Sequence, residues 1–247
     1  VRLDVLGSSG SHTGPDSVCS GYLLRTQGAT ILVDAGNGST ARLQGLVELV
    51  DLDAVVISHR HVDHCADLIG MHHALRSIGG GGIPLYAPAG VREVLATVAG
   101  QEAPYDFRDS FTPHEVTAGD RVTIGDVTAV FHHAVHTVPA VSVRFDDGRT
   151  DLVYSGDTAG GEELLTAARG ATAFLCEATW QGDIEAYPPG IHLTARDAGR
   201  HATQAAVGRL LLTHVAGLLD RDVTRAEAGE TFAGRLDVVR DGDVYEL

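Results

Sequence analysis

Residues 59–64 read His-Arg-His-Val-Asp-His, which places three histidines and one aspartate within six positions. The run just before them, Leu52-Asp53-Ala54-Val55-Val56-Ile57-Ser58, is apolar and β-branched, the pattern of a buried parallel strand. The cluster therefore falls in a polar turn where a strand ends. In open α/β architectures ligands collect at that edge of the sheet. This stretch predicts an α/β chain with a metal-holding turn at a sheet edge.

Composition narrows the class. At 247 residues and 44% hydrophobic, the chain can bury one large core, and no Ser/Pro-rich linker divides it, so a single domain over 1–247 is expected. Its apolar runs are strand-sized, far short of the ~20 residues of a membrane span. No basic segment followed by an apolar one stands at Val1, and the expectation is a non-secreted, cytoplasmic chain. Cys19, Cys65 and Cys176 are odd in number and widely spaced, so they outline no disulfide framework. All 18 basic residues are arginine, which excludes lysine Schiff-base chemistry and any phosphate loop that needs a lysine. The net charge of −15 favours a small-molecule substrate over long nucleic acid, because a protein gripping a polyanion presents a basic face.

The patterning predicts strands at Arg2 to Leu6, Gly21 to Thr26 and Thr30 to Asp34, a helix over about Ser39 to Val50, the strand feeding the cluster, and a helix near Asp67 to Ile78. A second α/β passage at Pro84 to Ala87 and Val91 to Ala99 leads through a Pro/Asp-rich connection to strands near Val116, Val122 and Val127 to His133. Strands at Val141 to Phe145 and Asp151 to Ser155 open the second half. Helix Glu162 to Ala168, strand Ala173 to Glu177, helix Thr194 to Ala206, strand Arg209 to Thr213 and a helix near Val223 to Phe232 follow. Strands at Leu236 to Val239 and Val244 to Glu246 close the chain. Both halves alternate helix and strand, which suggests two sheets face to face with helices outside. Gly79 to Gly82 reads as a loop.

Three distant strand ends carry further metal-binding residue types: His136 after Val127 to His133, Asp157 in Ser155-Gly156-Asp157-Thr158, and His214 after Leu211-Leu212-Thr213. With the turn they make five imidazoles and two carboxylates, a set suited to two divalent ions, zinc first and manganese or iron behind it. On composition alone His132, His133 and His136 are equal candidates. Cys65 is read as a small buried apolar residue, since thiolate ligation needs a lowered pKa.

HxHxDH, a later His, Ser-Gly-Asp-Thr and a terminal Leu-Leu-Thr-His resemble the metallo-β-lactamase superfamily over nearly the whole length. The resemblance implies a four-layer αβ/βα sandwich with the site at the sheet edge. It further implies that His59, His61 and His136 hold one metal, that Asp63, His64 and His214 hold the second, and that Asp157 bridges them. His136 is selected over its neighbours because His-x7-Arg, reaching Arg144, matches the family spacing. Homodimers, common among such enzymes, are a further expectation.

That superfamily spans many chemistries, so other residues must choose among them. Cys176-Glu177-Ala178-Thr179 resembles the HEAT motif of ribonuclease Z, and His192-Leu193-Thr194-Ala195 its HST motif, a pair that assists phosphodiester cleavage there. Asp63, Glu177 and His192 are accordingly the expected catalytic residues. Glu177 would orient His192 and hold it protonated, so that it assists the departing oxygen. The structural alternative has Glu177 bonding nearby backbone and His192 preceding a helix capped by Thr194. Only 21 positions separate His136 from Asp157, which leaves no room for the long arm that grips transfer RNA, and Cys176 and Leu193 replace the usual His and Ser. Gly7 to Ser17, the Cys-Glu-Ala-Thr-Trp run and His192-Leu-Thr look closer to an actinobacterial branch associated with cyclic-nucleotide hydrolysis.

The glycine-rich loop Gly7-Ser8-Ser9-Gly10-Ser11-His12 offers N–H groups and hydroxyls, which makes Ser8, Ser9 and His12 candidate phosphate contacts; a tight solvated turn is the alternative. The implied mechanism is attack on phosphorus by a hydroxide bridging two metals. A lactone or ester hydrolase on the same metals is the competing reading, followed by an armless ribonuclease Z-like endonuclease. A flavodiiron-type redox enzyme is disfavoured, because its first motif carries a Glu where His61 stands. A non-catalytic metal-binding scaffold would predict erosion of the seven ligands, and none is visible.

Overall fold

Alternation inside the apolar runs accounts for the architecture. In the strand Gly21–Arg25, Tyr22 and Leu24 enter one core while Leu23 enters another, and in Thr30–Ala35 the same division separates Ile31 and Val33 from Leu32. Side chains on a strand alternate between faces, so a strand apolar at every position is buried on both. These runs must lie between a facing sheet on one side and helices on the other.

The computed structural model describes residues 1–100 and 107–247. In chain order the elements are β1 (Arg2–Gly7), β2 (Gly21–Arg25), β3 (Thr30–Ala35), α1 (Ser39–Leu43), β4 (Ala54–Val56), α2 (Val62–Cys65), α3 (Asp67–Ile78), β5 (Ile83–Ala87), α4 (Val91–Val98) and β6 (Phe111–Glu115). There follow β7 (Arg121–Ile124), β8 (Val127–His133), β9 (Val141–Asp146), β10 (Asp151–Tyr154), α5 (Glu162–Ala168), β11 (Ala173–Glu177), α6 (Ala195–Gln204), β12 (Arg209–Thr213), α7 (Arg221–Gly229), β13 (Arg235–Val238) and β14 (Val244–Glu246). One seven-stranded sheet runs β14-β1-β2-β3-β4-β5-β6 and the other β13-β12-β11-β10-β9-β8-β7. Tyr22, Val33, Phe131, Phe145 and Leu175 fill the space between the sheets. Leu68, Met71 and Leu75 of α3 cover the outer face of the first sheet, and Leu164, Ala198 and Ala228 of α5, α6 and α7 that of the second. This is the expected four-layer αβ/βα sandwich.

Local differences have local causes. The helix expected over Ser39 to Val50 ends at Leu43, two residues before Gly45, and the chain resumes as a single 3-10 turn at Leu49–Asp51. The strand expected near Val116 is β6, which stops at Glu115 and lies on a sheet edge, where Pro113 is tolerated. Of the Pro/Asp-rich connection, residues 101–106 lie outside the described residues. No described helix is long and apolar enough to cross a membrane.

The two sheets present chain ends at one edge. Val141 N–H donates to the Ser58 carbonyl at 3.0 Å, and His59 bridges to Ala140, which ties the loop after β4 to the start of β9 in the other sheet. The Val127–His133 and Val141–Asp146 strands then continue through a short hairpin into β10, so the chain between His136 and Asp157 carries no protruding arm.

Candidate metal centre

Every proposed ligand follows a strand end. His59 comes just after β4, His61, Asp63 and His64 at the start of α2, His136 after β8, Asp157 after β10 and His214 directly after β12. Two groups of ligand atoms result, His59-His61-His136-Asp157 and Asp63-His64-Asp157-His214, each with all its atoms within 4.8 Å of one another. Asp157 belongs to both. Its Oδ2 lies 3.6 Å from His59 Nε2 and 3.9 Å from His136 Nε2, while its Oδ1 lies 3.3 Å from His64 Nε2 and 3.4 Å from His214 Nε2. A carboxylate with one oxygen on each group is what a bridging ligand requires.

Hydrogen bonds to the outer edges of the rings test whether cations fit. His136 Nδ1 lies 2.9 Å from the Ile191 carbonyl and His64 Nδ1 2.7 Å from Asp34 Oδ2, and both oxygens only accept, so both Nδ1 atoms carry the proton. Ser58 Oγ donates to Asp34 Oδ2 at 2.8 Å and therefore accepts from His59 Nδ1 at 3.0 Å. Thr179 Oγ1 donates to Glu177 Oε2 at 2.6 Å and accepts from His214 Nδ1 at 2.8 Å. The neutral tautomers of all four rings therefore aim a bare Nε2 inward.

Those lone pairs meet other lone pairs. His59 Nε2 is 3.0 Å and His136 Nε2 3.1 Å from His61 Nδ1, and His64 Nε2 is 3.1 Å from His214 Nε2, with Asp63 Oδ2 3.3 Å from the latter. Asp157 Oδ1 is buried without a hydrogen-bond donor. Acceptors packed this closely need positive charge among them, so the donor set fits two divalent cations held by imidazole and carboxylate. Protons on the clustered imidazoles are another source of positive charge there. Burial pushes His64 down, yet the facing Asp157 and Asp34 carboxylates outweigh it and leave its pKa well above the usual histidine value. Burial alone would raise Asp63, but bonds from His214 and His64 hold it far below the carboxylate range.

Beside the cluster, Glu177 is fully buried and its Oε1 accepts from His192 Nδ1 at 2.9 Å and from Thr158 N–H at 2.7 Å. Burial lowers the His192 pKa, but the Glu177 charge and hydrogen bond outweigh it and the net shift is upward. With Nδ1 engaged, His192 Nε2 has no partner among the described residues, and the side chain keeps 13% exposure, enough to meet a substrate. The capping alternative also holds, for Thr194 Oγ1 accepts from Asp197 N–H at the start of α6. The same short segment thus caps a helix and presents His192.

The glycine-rich loop departs from expectation. Ser8 is fully buried, and its hydroxyl donates to Asp241 Oδ1 at 2.8 Å and accepts from Arg221, away from the cluster. Ser9 is also buried, with its hydroxyl on the His12 carbonyl at 2.6 Å. Neither is placed to touch a phosphate, since both hydroxyls close the loop on its surroundings. His12 remains exposed, lining with Ser11, Thr13, Asn37 and Val62 a cleft of about 290 Å³ that opens beside Asp63. The Ser11 N–H donates to Asp63 Oδ2 at 2.8 Å, so the loop orients a candidate ligand. Gly10 allows this approach, because a Cβ there would lie 2.6 Å from His214 Nδ1.

The other candidates sort cleanly. His132 and His133 stay on β8 outside the ligand groups, and buried Cys65 has its thiol pushed up to about 12, chiefly by burial. Asp34, Tyr154 and Thr179 were missed by the sequence reading. Asp34 left a trace there as an acidic residue inside a largely apolar strand, and Thr179 as the last residue of the Cys176-Glu177-Ala178-Thr179 run, with no role given to it.

Residues 29–215 match a family described as Beta-lactamase superfamily domain. An uncharacterised protein of Mycobacterium leprae (strain TN) is 36% identical over an alignment of 259 residues that covers 100% of this chain and 89% of the other. The probable metallo-hydrolase YhfI of Bacillus subtilis (strain 168) is 29% identical over 252 residues, 100% of both chains. Ribonuclease Z of Methanopyrus kandleri is 27% identical over 275 residues, 96% of this chain and 94% of the other. The crystal structure of B. subtilis YhfI, a metallo-beta-lactamase fold protein, superposes with a TM-score of 0.86 at 27% identity over 99% of each chain. The human short-form tRNase Z, at 18% identity and a TM-score of 0.75 over 100% and 99%, shares the fold.

Proposed function

We propose that this chain, which belongs to the beta-lactamase superfamily and has its metallo-hydrolase fold, cleaves a small phosphodiester such as a cyclic nucleotide. One observation carries the reading: His192, braced by Glu177 at 2.9 Å and with a free Nε2, stands with its ring 5.3 Å from that of His136 and 5.5 Å from that of His214. A proton donor beside a two-cation site suits a reaction whose leaving group is a poor alkoxide. A lactone or β-lactam hydrolase has less need of it. Relatives named ribonuclease Z support phosphodiester chemistry.

His59, His61, Asp63, His64, His136, Asp157 and His214 would hold the two divalent ions, zinc in preference to manganese or iron given this nitrogen and oxygen donor set. When bound, such ions supply Lewis acidity and an activated water at neutral pH. Glu177 keeps a proton on His192 Nδ1 and favours the cationic ring, so that Nε2–H donates to the departing oxygen. The absent arm and the charge of −15 favour a small substrate over RNA.

A substrate panel on metal-analysed protein tests this, comparing cyclic nucleotides, bis-p-nitrophenyl phosphate, lactones and β-lactams. Cyclic nucleotides should be turned over best, and a lactone as the sole substrate would replace the reading. His192→Ala should keep both ions and lose about 10²- to 10⁴-fold in kcat where an alkoxide departs, with a smaller loss for p-nitrophenolate, which needs no proton. Equal losses on both would remove His192 from the proton-donor role.

A further inference from the structure

His214 and His192 come from different elements, yet one chain of hydrogen bonds joins them. His214 Nδ1–H donates to Thr179 Oγ1 at 2.8 Å, and Thr179 O–H donates to Glu177 Oε2 at 2.6 Å. The other oxygen of that carboxylate accepts from His192 Nδ1–H at 2.9 Å. Every direction in this chain is determined, because a carboxylate only accepts and a hydroxyl has one proton to give. Thr179 is buried and the Glu177 carboxylate also accepts from the N–H groups of Thr158, Thr179 and Leu193, which leaves the chain little room to rearrange.

We propose that Thr179 is a positioning residue that couples the metal-ligating edge of His214 to the substrate-facing edge of His192. By accepting from His214 Nδ1 it fixes the tautomer whose Nε2 is bare toward the cation position shared with Asp63, His64 and Asp157. By donating to Glu177 it steadies the carboxylate that orients His192. A cation at that position and a correctly aimed His192 therefore support each other through one hydroxyl. The proposal rests on the two-metal hydrolase reading but not on the identity of the substrate.

Thr179→Val removes the hydroxyl and keeps the shape, and Thr179→Ser restores the hydroxyl. The readouts are the dissociation constants of the two zinc ions, from chelator competition, and kcat on substrates with alkoxide and p-nitrophenolate leaving groups. In Thr179→Val one ion should bind about 10- to 100-fold more weakly while the other is unchanged, the scale typical of lost partners behind a ligating histidine. Its kcat should fall further for the alkoxide than for p-nitrophenolate, and Thr179→Ser should restore both readings. Unchanged affinity for both ions in Thr179→Val, or no restoration by Ser, would overturn the coupling.

Should Thr179→Val fail to fold, nitrogen–proton correlation spectra of the zinc-loaded unmodified protein decide. His214 should carry a solvent-protected proton on Nδ1, and a bare or freely exchanging Nδ1 would overturn the assignment. Inactivity of unmodified protein on every phosphodiester would remove the substrate reading and leave the zinc measurements to judge Thr179.

Discussion

Asp34 shows what a single residue does here that no spacing announces. Its buried carboxylate accepts from Ser58 N–H at 2.7 Å, Ser58 O–H at 2.8 Å, His64 Nδ1–H at 2.7 Å and Tyr154 O–H at 2.6 Å, from a left-handed backbone position with φ 54°. Through Ser58 it also sets the tautomer of His59, so one carboxylate orients a ring in each candidate ligand group. Asp34→Ala should strand buried donors at about 1–3 kcal/mol each, for a loss of roughly 3 kcal/mol or more in urea unfolding with chelator present. It should also weaken zinc about 10- to 100-fold. An unfolding midpoint equal to that of the unmodified protein would refute this account. The candidate ligands stand out in sequence because they follow apolar strands, whereas Asp34 acts through Ser58, His64 and Tyr154, 24 to 120 positions away, and Thr179 joins Glu177 to His214, 35 positions on. Ser8 misled for the same reason, since its hydroxyl answers to Asp241, 233 residues later.

Among the elements, strands buried on both faces read well and the polar edges did not. The helix from Ser39 stopped short at a glycine, and the pairing of β1 with β2, one strand in from the sheet edge, is governed by charges that hydropathy ignores. In the β1–β2 register Arg2 stands opposite Arg25, an unfavourable pairing of like charges. Asp4 resolves it, with Oδ1 2.8 Å from Arg2 and Oδ2 2.7 Å from Arg25. Burial raises the Asp4 pKa, but bonds from Arg2 and Arg25 outweigh it and the net shift is downward. A carboxyl depressed on folding contributes stability above its unfolded pKa and loses it as pH falls through the folded value. Asp4→Asn should therefore cost about 1 kcal/mol at neutral pH, between an exposed and a buried ion pair. In chemical unfolding that gap should persist at pH 5 and close only in strong acid, as the unmodified protein takes up the proton. A gap independent of pH would mean that packing and not charge is responsible.

At the scale of the whole molecule, the site exists only where two sheets meet. The turn 59–64 belongs to one sheet and His136, Asp157, Glu177 and His214 to the other, and the Ser58 to Val141 bond holds the halves in register. Alternating burial made that sandwich readable, whereas the size of the proposed substrate is argued from total charge. With 33 acidic residues against 18 arginines, the net charge favours the proposed small phosphodiester over a polyanion, which a protein grips with a basic face. Binding of a single-stranded RNA, followed by fluorescence anisotropy, should accordingly gain little between 200 mM and 50 mM salt. A groove that gripped 6–10 phosphates would tighten by about 10³- to 10⁵-fold over that range, because each neutralised phosphate releases a counterion. Such a steep dependence would show a basic track on this molecule and return the substrate to RNA; a flat one would support the proposed small substrate.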